Sequence, residues 1–189
     1  MNPIFSIWIN PRQTFQFLEQ RNEAKNNTSI NILFFLTAGA THVADINKPI
    51  SGNFYIDLMI SLVLSGLIGL FLWKFVLSYI VLGVGKIFKG KATKNEINLT
   101  LAFSFVPNLV HLVIALIMII PAIIFKNDQL IIYQHPITII VLWIVAARIL
   151  LYGLAYFNKY TYGYALLTVI ISAALMQGIV YGIKMLTGL

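Results

Sequence analysis

Arg148 sits in the run LWIVAARILLYGLAYF (residues 142–157) and Lys74 in GLFLWKFVLSY (69–79); both runs are otherwise apolar or aromatic, apart from a serine at the end of the second. Arg148 lies ten positions before Asn158 and Lys74 nine before Gly83, which is about 15 and 13 Å along a helix. A cation near the middle of a bilayer costs about 2.5–3.5 kcal/mol even on the mildest scale, so each needs compensation. Thr100, Ser104, Asn108 and His111 follow one another at spacings of four, four and three, which lines one helix face. Pro107 removes an amide donor inside that stripe, freeing the carbonyl of Phe103 and kinking the helix. Asp45 and Asp57 fall at the outer ends of their helices, so no carboxylate lies at the depth of the cations. Two arrangements fit. Either the cations bond to carbonyls and hydroxyls at helix crossings, or Lys74, Asn108, His111 and Arg148, with Tyr152 one turn beyond, line a cytoplasm-facing cavity. Such a cavity would hold a lipid phosphate or another anion, Arg clamping its oxygens and Lys acting as a point charge.

The elements that must position these side chains are membrane helices. Of the 189 residues, 59% are hydrophobic and only 10% charged, against about 25% charged in a soluble domain; mean hydropathy is +0.87. The reading is an all-α polytopic bundle of five transmembrane helices in a single domain, residues 29–189, preceded by a short interfacial amphipathic arm, residues 1–28. The spans run over 29–43, 58–82, 99–125, 137–157 and 162–186, most of them near the ~20 residues that a ~30 Å core requires. The first is the shortest, and it carries Asn31, Thr37, Thr41 and His42, so a re-entrant segment stays open there. With the N-terminus inside, Arg12, Arg21, Lys25, Lys86, Lys89, Lys91, Lys94 and Lys159 are cytoplasmic, and Lys48, Lys126 and Lys184 are outside. That asymmetry places the N-terminus in and the C-terminus out. The net charge of +7 therefore belongs to a membrane surface and not to nucleic acid. No cysteine is present, which excludes disulfides and thiolate chemistry, and residues 1–25 lack the pattern of a cleavable signal peptide.

The arm PIFSIWINPRQTFQFLEQ clusters Ile4, Phe5, Ile7 and Trp8, breaks at Asn10 and Pro11, and restarts with Thr14, Phe15, Phe17 and Leu18 beside Arg12. A proline after a polar residue reads as a helix start, and aromatics beside arginine suit the headgroup plane. Packing against the cytoplasmic ends of the spans is compatible with it. The loop GKIFKGKATKNEI (85–97) sets Lys86, Lys89, Lys91 and Lys94 against Glu96, favouring anionic headgroups by about 1 kcal/mol per charge or serving simply as the topology signal.

Taken in order, IWINPRQTF (7–15), GKIFKGKATKNEINLTLAFSFVP (85–107) and LWIVAARILLYGLA (142–155) resemble the Yip family, the Ypt-interacting-protein membrane domain. The resemblance covers nearly the whole chain and implies five transmembrane helices with N inside and C outside. Eukaryotic members act in vesicle traffic and associate with Rab-type GTPases. The short arm is closer to the bacterial members, which puts a GTPase partner in doubt and suggests a bacterial inner membrane.

The remaining signals are weaker. Ala174, Gly178 and Gly182 are spaced four apart and strip one face of the last span for close helix packing, within the chain or in a homodimer. His42, Asp45 and Asp57 are a thin basis for a metal site, and no hydrolase, metalloprotease or nucleotide-binding motif occurs. His135 before Pro136 marks a helix entry. No cofactor is expected. The expected role is non-enzymatic, through lipid or protein interactions at the cytoplasmic face. A channel, transporter or lipid-translocating protein using the cationic cavity is the alternative.

Overall fold

The computed structural model describes residues 2–41, 53–132 and 135–187, and their side chains except 132, 183, 186 and 187. The described residues are helical with no strand. Two short helices open the chain, α1 (Pro3–Ile9) and α2 (Pro11–Gln20), each with proline in its first turn, where the missing N–H is no loss. Asn2 caps α1 by accepting from the Ile4 amide at 3.0 Å. The corner between them is pinned by Thr14, whose hydroxyl donates to the Asn10 carbonyl and pairs with Ser6 Oγ, both at 2.9 Å.

Next come α3 (Asn27–Thr41) and α4 (Phe54–Phe71), the latter continuing through a π-turn (Leu72–Leu77) into α5 (Ser78–Ile87). A second long rod is α6 (Lys94–Ser104), a 3-10 turn (Val106–Asn108) and α7 (Leu109–Phe125). Pro107 lies in that turn, so the expected kink appears as a break in the helix. The short α8 (Gln129–Ile132), then α9 (Pro136–Asn158) and α10 (Tyr162–Thr187), complete the chain. His135 starts α9 as expected, its Nδ1 accepting from the Ile137 amide at 3.3 Å.

Four helical segments are long and apolar enough to cross a membrane: Phe54–Ile87, Lys94–Phe125, Gln129–Asn158 and Tyr162–Gly182. Large apolar side chains point outward along them, such as Met59 (62% exposed) and Ile120 (67%), as a hydrocarbon solvent permits. The 15 residues of α3 reach about 22 Å, short of a ~30 Å core. The end of the first expected span, with His42 and Val43, lies outside the described residues.

The bundle packs α3 on α4, α6 on α9, and α10 on both α5 and α9. Helices α3 and α4 approach closely. A Cβ on Gly69 would fall 2.2 Å from Ala38 Cβ, and one on Gly66 would fall 2.7 Å from the Phe35 ring. The small-residue seam expected at Ala174, Gly178 and Gly182 is not used in this way: a Cβ on Gly178 or Gly182 meets nothing within 4 Å, and Ala174 is exposed. Among the described residues those glycines hold no helices together.

The arm is part of the core. Ile7, Phe15 and Leu18 are buried in one cluster with Leu99, Phe103, Ile149 and Leu154, while Arg12, Gln13, Glu19 and Gln20 face outward. An amphipathic segment is present as expected, but as two helices docked on α6 and α9. The dock is a knob in a notch. Phe15 seats where Gly153 has no side chain, since a Cβ there would lie 2.8 Å from Phe15 Cζ and 2.5 Å from Thr100 Cγ2. The Phe15 ring then meets Phe157 edge to face at 5.7 Å.

Candidate functional site

The turn from α5 to α6 and the turn from α9 to α10 meet at the end of the bundle where the arm docks, and Asn158 joins them. Helix α5 ends in a left-handed residue, Lys89, with Gly90 N–H on the Gly85 carbonyl and Lys89 N–H on that of Lys86, both at 2.9 Å. This pair of bonds is the Schellman closure, normally built with glycine at the left-handed position. The buried Asn158 then accepts from the Ala92 amide at 3.3 Å, donates to the Leu154 carbonyl at 3.1 Å and to the Tyr160 hydroxyl at 3.3 Å, and takes the Lys91 amide on its own carbonyl at 3.2 Å. Gly90 is required by contact, because a Cβ there would sit 2.1 Å from Asn158 Oδ1. Thr93 and Glu96 form a reciprocal capping box that starts α6. Glu96 thus serves the helix terminus; it is not an ion partner for the loop lysines.

Along α9, Arg148, Tyr152, Tyr156 and Lys159 recur at four, four and three, so one face carries a column of cations and phenols. At its deep end, Arg148 answers the question raised by its position. Its Nη1 donates to the Trp8 carbonyl at 3.3 Å and its Nη2 to that of Ile9 at 3.1 Å. These are carbonyls of the last turn of α1, which lack helical partners and carry the negative end of the helix dipole. The guanidinium also lies over the Tyr152 ring at 5.7 Å. At the shallow end, Arg12, Tyr152, Tyr156, Lys159, Tyr160 and Tyr162 surround an open cavity of about 490 Å³. Lys159 sits in the left-handed region (φ 56) with its ammonium over the Tyr156 ring at 4.3 Å, and Glu19 accepts from the Tyr156 hydroxyl. Burial pushes the Tyr160 phenol above its usual pKa. Because Thr168 already donates to the Tyr164 carbonyl, Tyr160 is the donor to Thr168 at 3.0 Å.

The remaining residues of the expected anion cavity go elsewhere. Lys74 lies in the π-turn of the second rod and donates to Asn31 Oδ1 of α3 at 2.7 Å. A π-turn adds a residue to the helical circuit and commonly marks a specialised position. Asn108 donates to Thr41 Oγ1 at 3.1 Å. His111 is buried, with no partner for its Nδ1. Thr100 packs against the Gly153 notch, with no hydrogen bond to its buried hydroxyl. Only Arg148 and Tyr152 of the expected set therefore belong to one column. The break at Pro107 separates the 100–111 stripe into two helices, and each deep cation meets a neutral oxygen at a helix crossing. Sequence reading passed over Asn31 as a mere weakness of the first span, and it missed Asn158, Gly153 and the α1 carbonyls.

Among the described residues no group of three His, Cys, Asp or Glu could hold a metal. Asp57 is buried, whereas His42 and Asp45 lie outside the described residues. Lys86 donates to the Gly90 carbonyl at 3.0 Å, and Lys94 lies over the Tyr79 ring at 3.9 Å. Lys89 and Lys91 are exposed.

The sequence model of the Yip1 domain matches residues 5–183, which takes in the arm, all four long helical segments and the junction at Asn158. The chain belongs to the Yip1 domain family. With its four apolar segments, the Yip1 domain described here is a multi-pass integral membrane protein. The match begins inside α1, so the docked arm is part of the domain and no appendage to it. No curated protein and no solved structure shows a significant match.

Proposed function

We propose that this Yip1 domain works without catalysis, by holding anionic lipid headgroups at the cytoplasmic face of its membrane. The observation that carries this reading is the cavity of about 490 Å³ between α2, α9 and α10, with Arg12 and Lys159 on its walls and phenolic groups around them. The cytoplasmic face is taken to be the arm end, because Arg12, Arg21, Lys25, Lys86, Lys89, Lys91, Lys94 and Lys159 gather there. There a phosphate meets the cations Arg12 and Lys159, with the carboxylates Glu19 and Glu96 both acting on the neighbouring Tyr156, Glu19 already accepting from its hydroxyl and Glu96 engaged in the capping box of α6. The arginine fork suits phosphate oxygens, and tyrosines are at home in the interface. Arg148 supports the site from below by fixing the end of α1. A transport path is less favoured, because Lys74 and Arg148 are engaged with separate partners.

The test is native mass spectrometry and thermal shift of the purified protein with phosphatidylglycerol and with phosphatidylcholine. The parent should retain and be stabilised by the anionic lipid, and Arg12→Gln with Lys159→Gln should lose most of that preference. A parent that does not distinguish the two lipids, or a double variant that matches it, refutes the proposal.

A further inference from the structure

The headgroup cavity is divided between two bodies. Among the described residues that line it, Arg12 alone belongs to the arm, in the first turn of α2; the others, from Tyr152 to Tyr162, belong to α9, to the start of α10 and to the turn joining them. Arg12 and Lys159 are both exposed, and they converge on one phenol. The Lys159 ammonium lies over the Tyr156 ring at 4.3 Å, and the charge of Arg12 acts on the Tyr156 hydroxyl. Two like charges thus face one cavity, one carried by the arm and one by the bundle.

Glu19, on the arm beside them, offsets part of their repulsion and is already engaged by Tyr156. The arm is otherwise held by apolar packing, chiefly Phe15 in the Gly153 notch, and by the two α1 carbonyls that take the Arg148 guanidinium. Those contacts do not depend on which lipids surround the protein, whereas the pair Arg12 and Lys159 does. With no anion between them the two cations work against docking. A phosphate between them turns both interactions attractive, since the arginine fork takes its oxygens and the ammonium adds a point charge. The released α2 also has somewhere to go. With Phe15 and Leu18 on one face and Arg12, Gln13, Glu19 and Gln20 on the other, it suits the headgroup plane.

We propose that anionic lipid regulates the arm through this site: a headgroup phosphate bridging Arg12 and Lys159 locks α2 against α9, and a membrane poor in anionic lipid lets the arm open more often. The proposal rests on the headgroup reading above and adds that the site is incomplete without the arm. A ligand that binds the docked arm and not the released one favours docking by a factor of 1 + [L]/Kd. By linkage, docking favours the ligand to the same extent.

The experiment is hydrogen exchange of the full-length protein in nanodiscs of phosphatidylcholine, and of phosphatidylcholine mixed with an equal amount of phosphatidylglycerol. Amides of residues 11–20 should exchange about tenfold more slowly in the mixed discs, the factor for a lipid at about ten times its Kd, and those of α10 beyond Ala165 should not change. Arg12→Gln removes the arm's half of the clamp and Lys159→Gln the bundle's half, and each should abolish the difference between the two lipids. Lys159→Gln also separates the clamp from simple adsorption, because an arm lying on an anionic surface would keep its protection in that variant. Native mass spectrometry of the parent with the same two lipids reads binding apart from arm motion. Phosphatidylglycerol retained with no slowing at 11–20 overturns the regulation and leaves the headgroup site standing; no preference for it overturns both. Slowing that persists in Lys159→Gln, or that extends equally over the whole chain, overturns the regulation as well.

Discussion

Truncating Phe15 to alanine should release the arm from the bundle while the transmembrane helices stay folded. The Phe15 ring is fully buried in the Gly153 notch and meets Phe157 edge to face. Burying such a ring contributes about 1.5–3 kcal/mol, and the edge contact about 0.5–1.5 kcal/mol more. The arm can partly regain the first term by resting in the lipid interface, so a net loss of about 1.5–3 kcal/mol is expected. At 1.4 kcal/mol per tenfold, local opening of α2 becomes about 10–100 times more frequent. Hydrogen exchange in nanodiscs reads this directly: amides of residues 11–20 should exchange faster by that factor, and those of α9 and α10 should not change. Gly153→Ala should give the same pattern from the opposite wall, because the new methyl would lie 2.5 Å from Thr100 Cγ2 and 2.8 Å from Phe15 Cζ. Unchanged exchange over 11–20, or equal acceleration throughout the chain, would show that the notch does not hold the arm as a separate unit.

Asn158→Ala leaves the Ala92 amide without its partner and takes one of two hydrogen bonds from the Tyr160 hydroxyl, which keeps Thr168, and should cost about 2 kcal/mol or more, seen as a fall in the thermal midpoint; a variant as stable as the parent would remove Asn158 from its role at the junction. Lys126→Gly relieves a left-handed conformation at φ 50 and should raise the midpoint by a few degrees, for a net gain of up to about 1 kcal/mol after the lost dipole interaction; a lower midpoint contradicts the strain argument. Gly69→Ala places a methyl 2.2 Å from Ala38 Cβ and should destabilise by about 1–3 kcal/mol, whereas Gly178→Leu enters open space and should leave the thermal midpoint unchanged. Crosslinking of Gly178→Leu in membranes also tests the homodimer, which should disappear if it uses that face.

How far the sequence could be read varies with the range of each interaction. Hydropathy located the four long segments because a bilayer acts on each helix separately. Proline, asparagine and histidine at helix starts, and the interruption at Pro107, were likewise legible, since capping and amide loss are local. The anion cavity was assembled from depth alone, which places residues in a layer but not on facing sides of it. The glycine stripe of α10, spaced at four, matched the small-residue packing pattern better than Gly66 and Gly69, spaced at three, do, yet it is Gly66 and Gly69 that meet a neighbour and Gly178 and Gly182 that meet open space.

Composition by itself determined that this chain lives in a membrane, and its punctuation determined where most helices begin and end. What answers its deep cations was decided only in three dimensions. Arg148 bonds to carbonyls about 140 residues away in sequence, and a carbonyl is present at every residue, so no residue type announces it. Lys74 finds Asn31 across 43 positions, and Asn158 closes on Ala92 across 66. In a bundle whose surroundings are as apolar as its core, the folded geometry assigns each polar group its partner.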